Sequence, residues 1–308
     1  PSKPRTKPKA CNYALKFARG EFITIYDAED RPDPDQLKEA IFTFRQGDEK
    51  LACVQCALNY FNSGENWLTR MFTIEYTFWF DLMLPALSRL NLPIPLGGTS
   101  NHFKTAFLKE MIAWDPYNVT EDADLGIRMN RLGYRTQAIT STTYEEANCK
   151  IINWIKQRTR WLKGYMQTYL VHMREPVKLF RELGPRGFLS FQFFVGGTVL
   201  SNLANIVLLV IFFLSIVIGK VKVAVLFPHP TIEMAWFNLI AGNFLLLLLN
   251  FMAIFRRRLY SLLPYLITVP IYWLLASVAS YRALHQLFFH PSHWEKTEHG
   301  ISNYFLTR

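Results

Sequence analysis

The chain has 308 residues, half of them hydrophobic, and carries 34 lysines and arginines against 24 aspartates and glutamates, for a net charge of +10. That length accommodates one enzyme-sized domain beside a membrane portion, and four cysteines with a lone Cys-x-x-Cys give no disulfide framework. Positive charge beside long apolar runs favours anionic lipid and small phosphate-bearing molecules over nucleic acid as partners.

The chain opens at Pro1-Ser2-Lys3, which is neither an initiator methionine nor a signal peptide, and it reads as a fragment lacking its beginning. Lys3 to Lys9 is a basic, proline-spaced loop. Ala10 to Arg19 reads as a helix with Ala14, Leu15 and Phe17 on or near its buried side, ended by Gly20. Phe22 to Tyr26 is β-rich, and Asp27-Ala28-Glu29-Asp30 follows directly before Arg31-Pro32. Carboxylates clustered at a strand end place hard oxygen ligands at the carboxyl edge of a sheet, where open α/β folds bind ligands, and they suit a divalent cation. A plain turn cluster is the alternative. Asp35 to Gly47 reads as a helix and Leu51 to Phe61 as a strand. Within that strand Cys53 and Cys56 are buried residues rather than a metal or redox pair, because no second pair or histidine stands at zinc-ligand spacing.

Asn66 to Arg89 is apolar, but Arg70, Glu75 and Asp81 interrupt it, so it reads as an amphipathic helix lying on a membrane or packed on the sheet. Leu96 to Phe103 reads as a glycine-opened turn into a helix, with Gly97, Gly98 and Thr99 bringing backbone amides close to a ligand and His102 structural. Trp114, ahead of Asp115-Pro116, either stacks on a sugar face or is buried.

The chemistry concentrates between Val119 and Trp161. Thr120 reads as an N-cap, Glu121 and Asp122 as an acidic first turn, and Leu125, Ile127, Met129 and Leu132 as the buried positions of a helix stopping at Gly133. Asp122 then stands at a helix mouth facing a cleft. Gln157, Arg160 and Trp161, at i, i+3 and i+4, bring an amide, a guanidinium and an indole to one helical face. That helix continues toward Arg174 and ends at Pro176. Three apolar runs follow, Phe188 to Gly219, Met234 to Phe255 and Leu259 to Tyr281, each longer than the roughly 20 residues that cross a bilayer. Lys178, Arg181 and Arg186 precede the first and Arg256 to Arg258 follow the second. By the positive-inside rule both ends are cytoplasmic and Lys220 to Glu233 is the outer loop. The first run exceeds the bilayer core, so its part up to Gly196-Gly197 reads as interfacial. The third is broken by Pro264 and Pro270.

Thr120-Glu121-Asp122 and Gln157-Arg158-Thr159-Arg160-Trp161, in this order behind the acidic loop, resemble the family-two glycosyltransferases, specifically the processive membrane enzymes such as cellulose and hyaluronan synthases. The resemblance implies an α/β GT-A-like domain, N-terminally incomplete here, joined to an α-helical membrane region. It implies that Asp122 is the general base and that Glu121, Gln157, Arg158, Arg160 and Trp161 bind the nucleotide diphosphate and the acceptor sugar. By the same resemblance Lys9 and Asn12 fall in a segment near the nucleotide, and Gly98 and Thr99 in a segment on the acceptor side; Trp114 is a substrate contact only if it stacks on the sugar. Mg²⁺ or Mn²⁺ would be held by Asp27 with Glu29 or Asp30, although the family's Asp-x-Asp is here Asp27-x-Glu29. Trp294 to Gly300 is similar to the cytoplasmic gating loop, with Lys296, Thr297 and His299 closing over nucleotide and His299 standing where a lysine is commoner. That likeness favours an interfacial third run over a spanning one.

The expectation is therefore a partial catalytic domain over 1–177, a membrane region over 178–289 with spans near 196–219 and 234–255 and a third segment at 259–281, and a cytoplasmic tail over 290–308. The reading is a multi-pass enzyme of the plasma (inner) membrane with its catalytic domain in the cytoplasm. It moves a sugar from a nucleoside-diphosphate sugar, with a UDP-sugar the expected donor, to a growing glycan. Transfer of one sugar to a lipid, or a non-catalytic channel or scaffold, are the alternatives.

Overall fold

The computed structural model describes residues 5–111, 113–218, 229–291 and 293–302. The first residues of the basic loop and most of the expected outer loop lie outside this set.

The chain begins with α1 (Lys7–Leu15), then β1 (Phe22–Ile25), the short β2 (Arg31–Pro32), α2 (Gln36–Gln46) and β3 (Leu51–Tyr60). Helix α1 starts earlier than its sequence suggests, with Pro8 in the first turn, where a missing N–H costs nothing. It therefore ends at Leu15, which is buried, and leaves Ala14 and Phe17 exposed. Every residue of β3 is buried, as a strand covered on both faces requires, and Cys53 and Cys56 are part of that interior.

Next come α3 (Trp67–Phe78), a π-helical turn (Trp79–Met83) and α4 (Leu84–Arg89). Asn66 and Thr69 cap α3 reciprocally, each side chain bonding the other's backbone N–H. Two of the charges that interrupt this apolar stretch are paired across the fold, Glu75 with Arg158 and Asp81 with Arg257 at 2.7 Å, while Arg70 donates to the Gly64 carbonyl and lies over the Tyr265 ring.

The expected helix at Leu96 to Phe103 is instead a strand, β4 (Asn101–Lys104), with helix α5 (Thr105–Glu110) only after it. Pairing on both edges overrides the local glycine signal, since β4 lies antiparallel between β1 and β3. Then follow α6 (Glu121–Arg131) and β5 (Arg135–Glu145), which runs parallel to β3. The five-stranded order is β1-β4-β3-β5-β2. Because β1, β3 and β5 run one way and β4 the other, the ends of β1, β3 and β5 and the start of β4 share one edge of the sheet.

Helix α7 (Ile151–His172) crosses from this edge to α8 (Pro176–Phe191), which kinks at Gly184, φ 67°. A π-helical turn (Gln192–Gly196) leads into α9 (Gly197–Val217), and α10 (Thr231–Phe237) continues through another such turn into α11 (Asn243–Arg257). A 3₁₀ stretch (Tyr260–Thr268) and α12 (Val269–Phe289) complete the helices. Three stretches among the described residues, Pro176–Val217, Thr231–Arg257 and Tyr260–Phe289, are long and apolar enough to cross a membrane, with mean hydropathies of 2.4, 1.9 and 1.8.

They differ in what they touch. The third has 33% of its apolar window buried inside the protein against 11% for the first. Its α12 packs along α7, with Ala279 and Ala283 against Leu162 and Met166. Both ends of α12 are tied to the part of the chain that precedes the apolar stretches. Trp67 donates to Thr268 at 2.8 Å, and Lys163 donates to the carbonyl of His293 at 2.5 Å just past α12.

Candidate active site

The shared sheet edge collects the site. At the end of β1, Asp27 is ion-paired with Lys7, whose Nζ also donates to the Gly98 carbonyl at 2.8 Å. Burial opposes the charge on Lys7, but Asp27, with Asp122 and Glu121 farther off, raises its pKa above the ordinary lysine value. Asp30 turns inward. Its Oδ2 accepts from the Asp27 N–H at 2.8 Å and from the Thr99 hydroxyl, while its Oδ1 is buried without a partner among the described residues. Glu29 faces the other way, 2.9 Å from His299 of the tail.

The loop before β4 is held from below. Gln55 accepts from the Gly97 N–H at 2.8 Å and donates to the Thr99 carbonyl at 3.1 Å. This leaves Gly98 exposed against Asp122, so close that a Cβ there would lie 3.1 Å from Asp122 Oδ2. Asp122 Oδ1 accepts from the Ala123 N–H at 2.8 Å, which caps the helix from within its first turn. Thr120 occupies the cap position without bonding the helix; its hydroxyl is packed against Gly164 instead. Leu125, Ile127 and Met129 are buried as expected, but Leu132 is 61% exposed because it falls past the last turn.

Two carboxylates side by side at a buried helix mouth cannot both ionise freely. Burial, then the charge of Asp122, pushes Glu121 up to about 8, and burial raises Asp122 above the usual aspartate range. Near them on α7 is Arg160, and on the same helix the Oε1 of Gln157 is buried without a partner among the described residues. The Arg160 guanidinium is held below its usual range by burial, is drawn toward Glu121, Asp122 and Asp27, and makes no ion pair among the described residues. Trp294 lies over it, 4.9 Å from guanidinium to ring. Trp161 leans on Phe72 and Tyr76 at ring distances of 5.8 and 6.3 Å.

A family model described as Glycosyl transferase family group 2 matches residues 22–279. The chain belongs to this family. Among its relatives is Probable glycosyltransferase YdaM of Bacillus subtilis (strain 168), 28% identical over 212 residues, which make up 66% of this chain and 49% of that protein. The chain thus spans about half the length of the curated relative it matches. Among solved structures, the mannosyltransferase PcManGT from Pyrobaculum calidifontis in complex with GDP-Man and Mn2+ shares the fold, with a TM-score of 0.55 and 18% identity, over 94% of this chain and 68% of that one. The fold is therefore a GT-A-like glycosyltransferase domain with a mixed sheet, followed by three long apolar helices.

Against this family 2 background, three expected binding residues are occupied by the protein itself. Arg158 makes a bidentate pair with Glu75 at 2.7 and 2.6 Å and also bonds the Tyr272 hydroxyl, among the rings of Phe72, Trp154 and Trp161. Asn12 clasps the backbone of Trp114, donating to its carbonyl at 2.6 Å and accepting from its N–H at 3.1 Å. Trp114 is 5% exposed and packs edge-on against Phe103, which is burial rather than a sugar platform. Lys9 is half-buried on the same helix as Lys7.

Two residues went unassigned in the sequence. Lys7 had no signal beyond its basic neighbours. Glu145 ends β5 on the shared edge, where burial first, then Asp30 and Asp27, hold its carboxyl well above the usual range; a strand read at 135–145 would have pointed to it.

The tail lies against the same site. Glu146 accepts from the N–H groups of Gly300, Ile301 and Ser302 at 2.6, 2.9 and 2.7 Å, and Asn153 grips Glu298 through its carbonyl and N–H. Thr297 bonds His299 at 3.1 Å, while Lys296 is exposed.

Proposed function

We propose that this chain is the catalytic and membrane portion of an inverting glycosyltransferase that moves a sugar from a nucleoside-diphosphate sugar to a glycan acceptor at a membrane surface. The observation that carries the reading is Arg160: a guanidinium with no ion pair among the described residues, near the raised carboxylates of Glu121 and Asp122. An unpaired cation this deep calls for an anion, and a diphosphate leaving group supplies one.

In this reading Asp122 Oδ2, which lies against Gly98, takes the proton of the acceptor hydroxyl as that oxygen attacks the anomeric carbon in line. Arg160 and Gln157 hold the departing diphosphate, and Lys7 and Lys9 add charge from α1. Trp161 orients the acceptor ring. Among the described residues no three His, Cys, Asp or Glu side chains stand together as a ready metal site. Asp27, already beside the Lys7 cation, and the unpartnered Asp30 Oδ1 fit a hard divalent ion that takes its other ligands from the diphosphate. Mg²⁺ or Mn²⁺ bound there would neutralise charge on the leaving group; the Mn2+ and GDP-Man of the solved relative are in keeping with this.

Helices α9 and α10 with α11 would span the membrane and α12 would lie along its cytoplasmic face beside α7, since both its ends are bonded to the part of the chain that precedes the apolar stretches. This arrangement, with the tail across α7, supports a polymer-forming enzyme like the cellulose and hyaluronan synthases over transfer of a single sugar. The test is equilibrium binding of GDP and UDP in the presence of Mn²⁺. Arg160→Gln weakens binding of the preferred nucleotide by about 10-fold or more, as expected for losing a desolvated charge-assisted contact. Unchanged affinity for both nucleotides removes Arg160 from the diphosphate site.

A further inference from the structure

Asp124 lies one half-turn beyond Asp122 on α6, 4% exposed, with both oxygens used. Its Oδ2 accepts from Arg128 Nε at 2.7 Å, and its Oδ1 lies 3.0 Å from His172 Nε2 on α7. On the other side of the ring, Arg131 NH1 lies 2.8 Å from His172 Nδ1. A guanidinium has donors only, so Nδ1 accepts and the ring hydrogen sits on Nε2, where Asp124 receives it. Arg131 continues to Glu182 of α8 at 2.6 Å, and Arg128 to the carbonyl of Ala113 at 2.5 Å. One connected chain of hydrogen bonds thus joins α8, α7, α6 and the loop that precedes Thr120.

The same face of α7 meets the segment leading into α6 at two further points. Asn118 donates to Thr168 at 3.2 Å, and Thr120 packs on Gly164 so closely that any Cβ there would come within 2.2 Å of its hydroxyl oxygen. Gly164, Thr168 and His172 stand at i, i+4 and i+8, on the stripe that begins with Gln157 and Trp161. The α6 mouth is therefore set against the helix that carries Arg160, and His172 is its most distant fastening.

We propose that His172 is a positioning residue for the transfer reaction: through Asp124 it fixes the start of α6, and with it Asp122, relative to Gln157 and Arg160. It does not touch substrate. The proposal rests on the reading of Asp122 as the base, and its test separates the two.

In the full-length protein, His172→Phe keeps a planar aromatic ring and loses the donor, whereas His172→Gln places an amide nitrogen where Nε2 was. Amide hydrogen exchange over Val119–Arg131 should quicken about 10-fold or more in the Phe variant and return to within about 3-fold of wild type in the Gln variant. Nucleotide release from UDP-glucose and GDP-mannose supplied together should follow the same order in kcat, with the affinity for GDP and Mn²⁺ changed by less than about 3-fold. Wild-type exchange in His172→Phe, or a Gln variant no better than Phe, overturns the proposal. Should the Phe variant fail to fold, ¹⁵N-histidine spectra of the wild type decide: His172, assigned by its loss in His172→Gln, must carry its hydrogen on Nε2, and a hydrogen on Nδ1 overturns it. If Asp122→Asn turns over like wild type, the base reading fails while the exchange contrast still stands on its own.

Discussion

Arg158 sits inside the motif that suggests substrate contact, yet its guanidinium is spent on Glu75, and that assignment has a measurable consequence. Glu75→Gln removes one partner of a bidentate pair at 2.7 and 2.6 Å while leaving the Tyr272 hydroxyl and three aromatic rings in place. Breaking a fully buried pair costs about 3–5 kcal/mol. Here the Arg158 side chain is 12% exposed but Glu75 is 34% exposed, so water reaches the site and about 2 kcal/mol is the better expectation. For a chain of this length that corresponds to a fall in Tm of about 3 °C. Replacing both residues by methionine should recover most of the loss, because an apolar pair carries no desolvation cost. The assay is thermal unfolding of the detergent-solubilised protein beside GDP and UDP binding with Mn²⁺. A Glu75→Gln variant of unchanged Tm whose nucleotide affinity falls about 10-fold would make Arg158 a ligand contact after all and refute the structural assignment.

Two further outcomes are expected. Glu121 has a folded pKa of about 8 against an ordinary value of 4.5, so the folded chain holds a proton the unfolded chain has released. Its stabilising contribution is full below pH 4.5 and is lost as pH rises toward 8. Urea unfolding without metal or nucleotide should show stability declining across that window, and Glu121→Gln should flatten the decline; an equally steep slope in the variant assigns the proton elsewhere. Lys7→Met frees Asp27 from its internal cation, so Mn²⁺ binding, read from the electron paramagnetic resonance of the free ion, should tighten about 3-fold or more, whereas weaker binding would show that Lys7 helps build the cation site.

What the sequence reveals and what it conceals divides along distance. β1, β3, α2 and the start of α6 are signalled by residues within a turn or two of each other, and the structure places them within a residue or two of expectation. The apolar helices are equally plain from composition. The segment at Asn101–Lys104 misleads because its conformation comes from β1 and β3 on either side rather than from Gly97-Gly98 before it.

The site shows the same limit. Asp27, Asp122 and Arg160 are legible as types at particular spacings, but their neighbours are not. Asn12 is claimed by a backbone 102 residues away, Arg158 by a carboxylate 83 away, and Asp124 by an imidazole 48 away. No local pattern announces such pairs. Lys7 escapes for a different reason: among several basic residues in one loop, only the folded sheet edge singles out the one that meets Asp27.

The central claim is that Asp122 deprotonates the acceptor while the diphosphate is held by other residues. It is tested most directly by single-turnover transfer with Asp122→Asn in the full-length protein, donor prebound, beside the affinity of the same variant for nucleoside diphosphate and Mn²⁺. The account predicts a rate lower by about two to four orders of magnitude with nucleotide affinity nearly unchanged. Wild-type transfer by Asp122→Asn, or a loss that lies wholly in nucleotide binding, would contradict it.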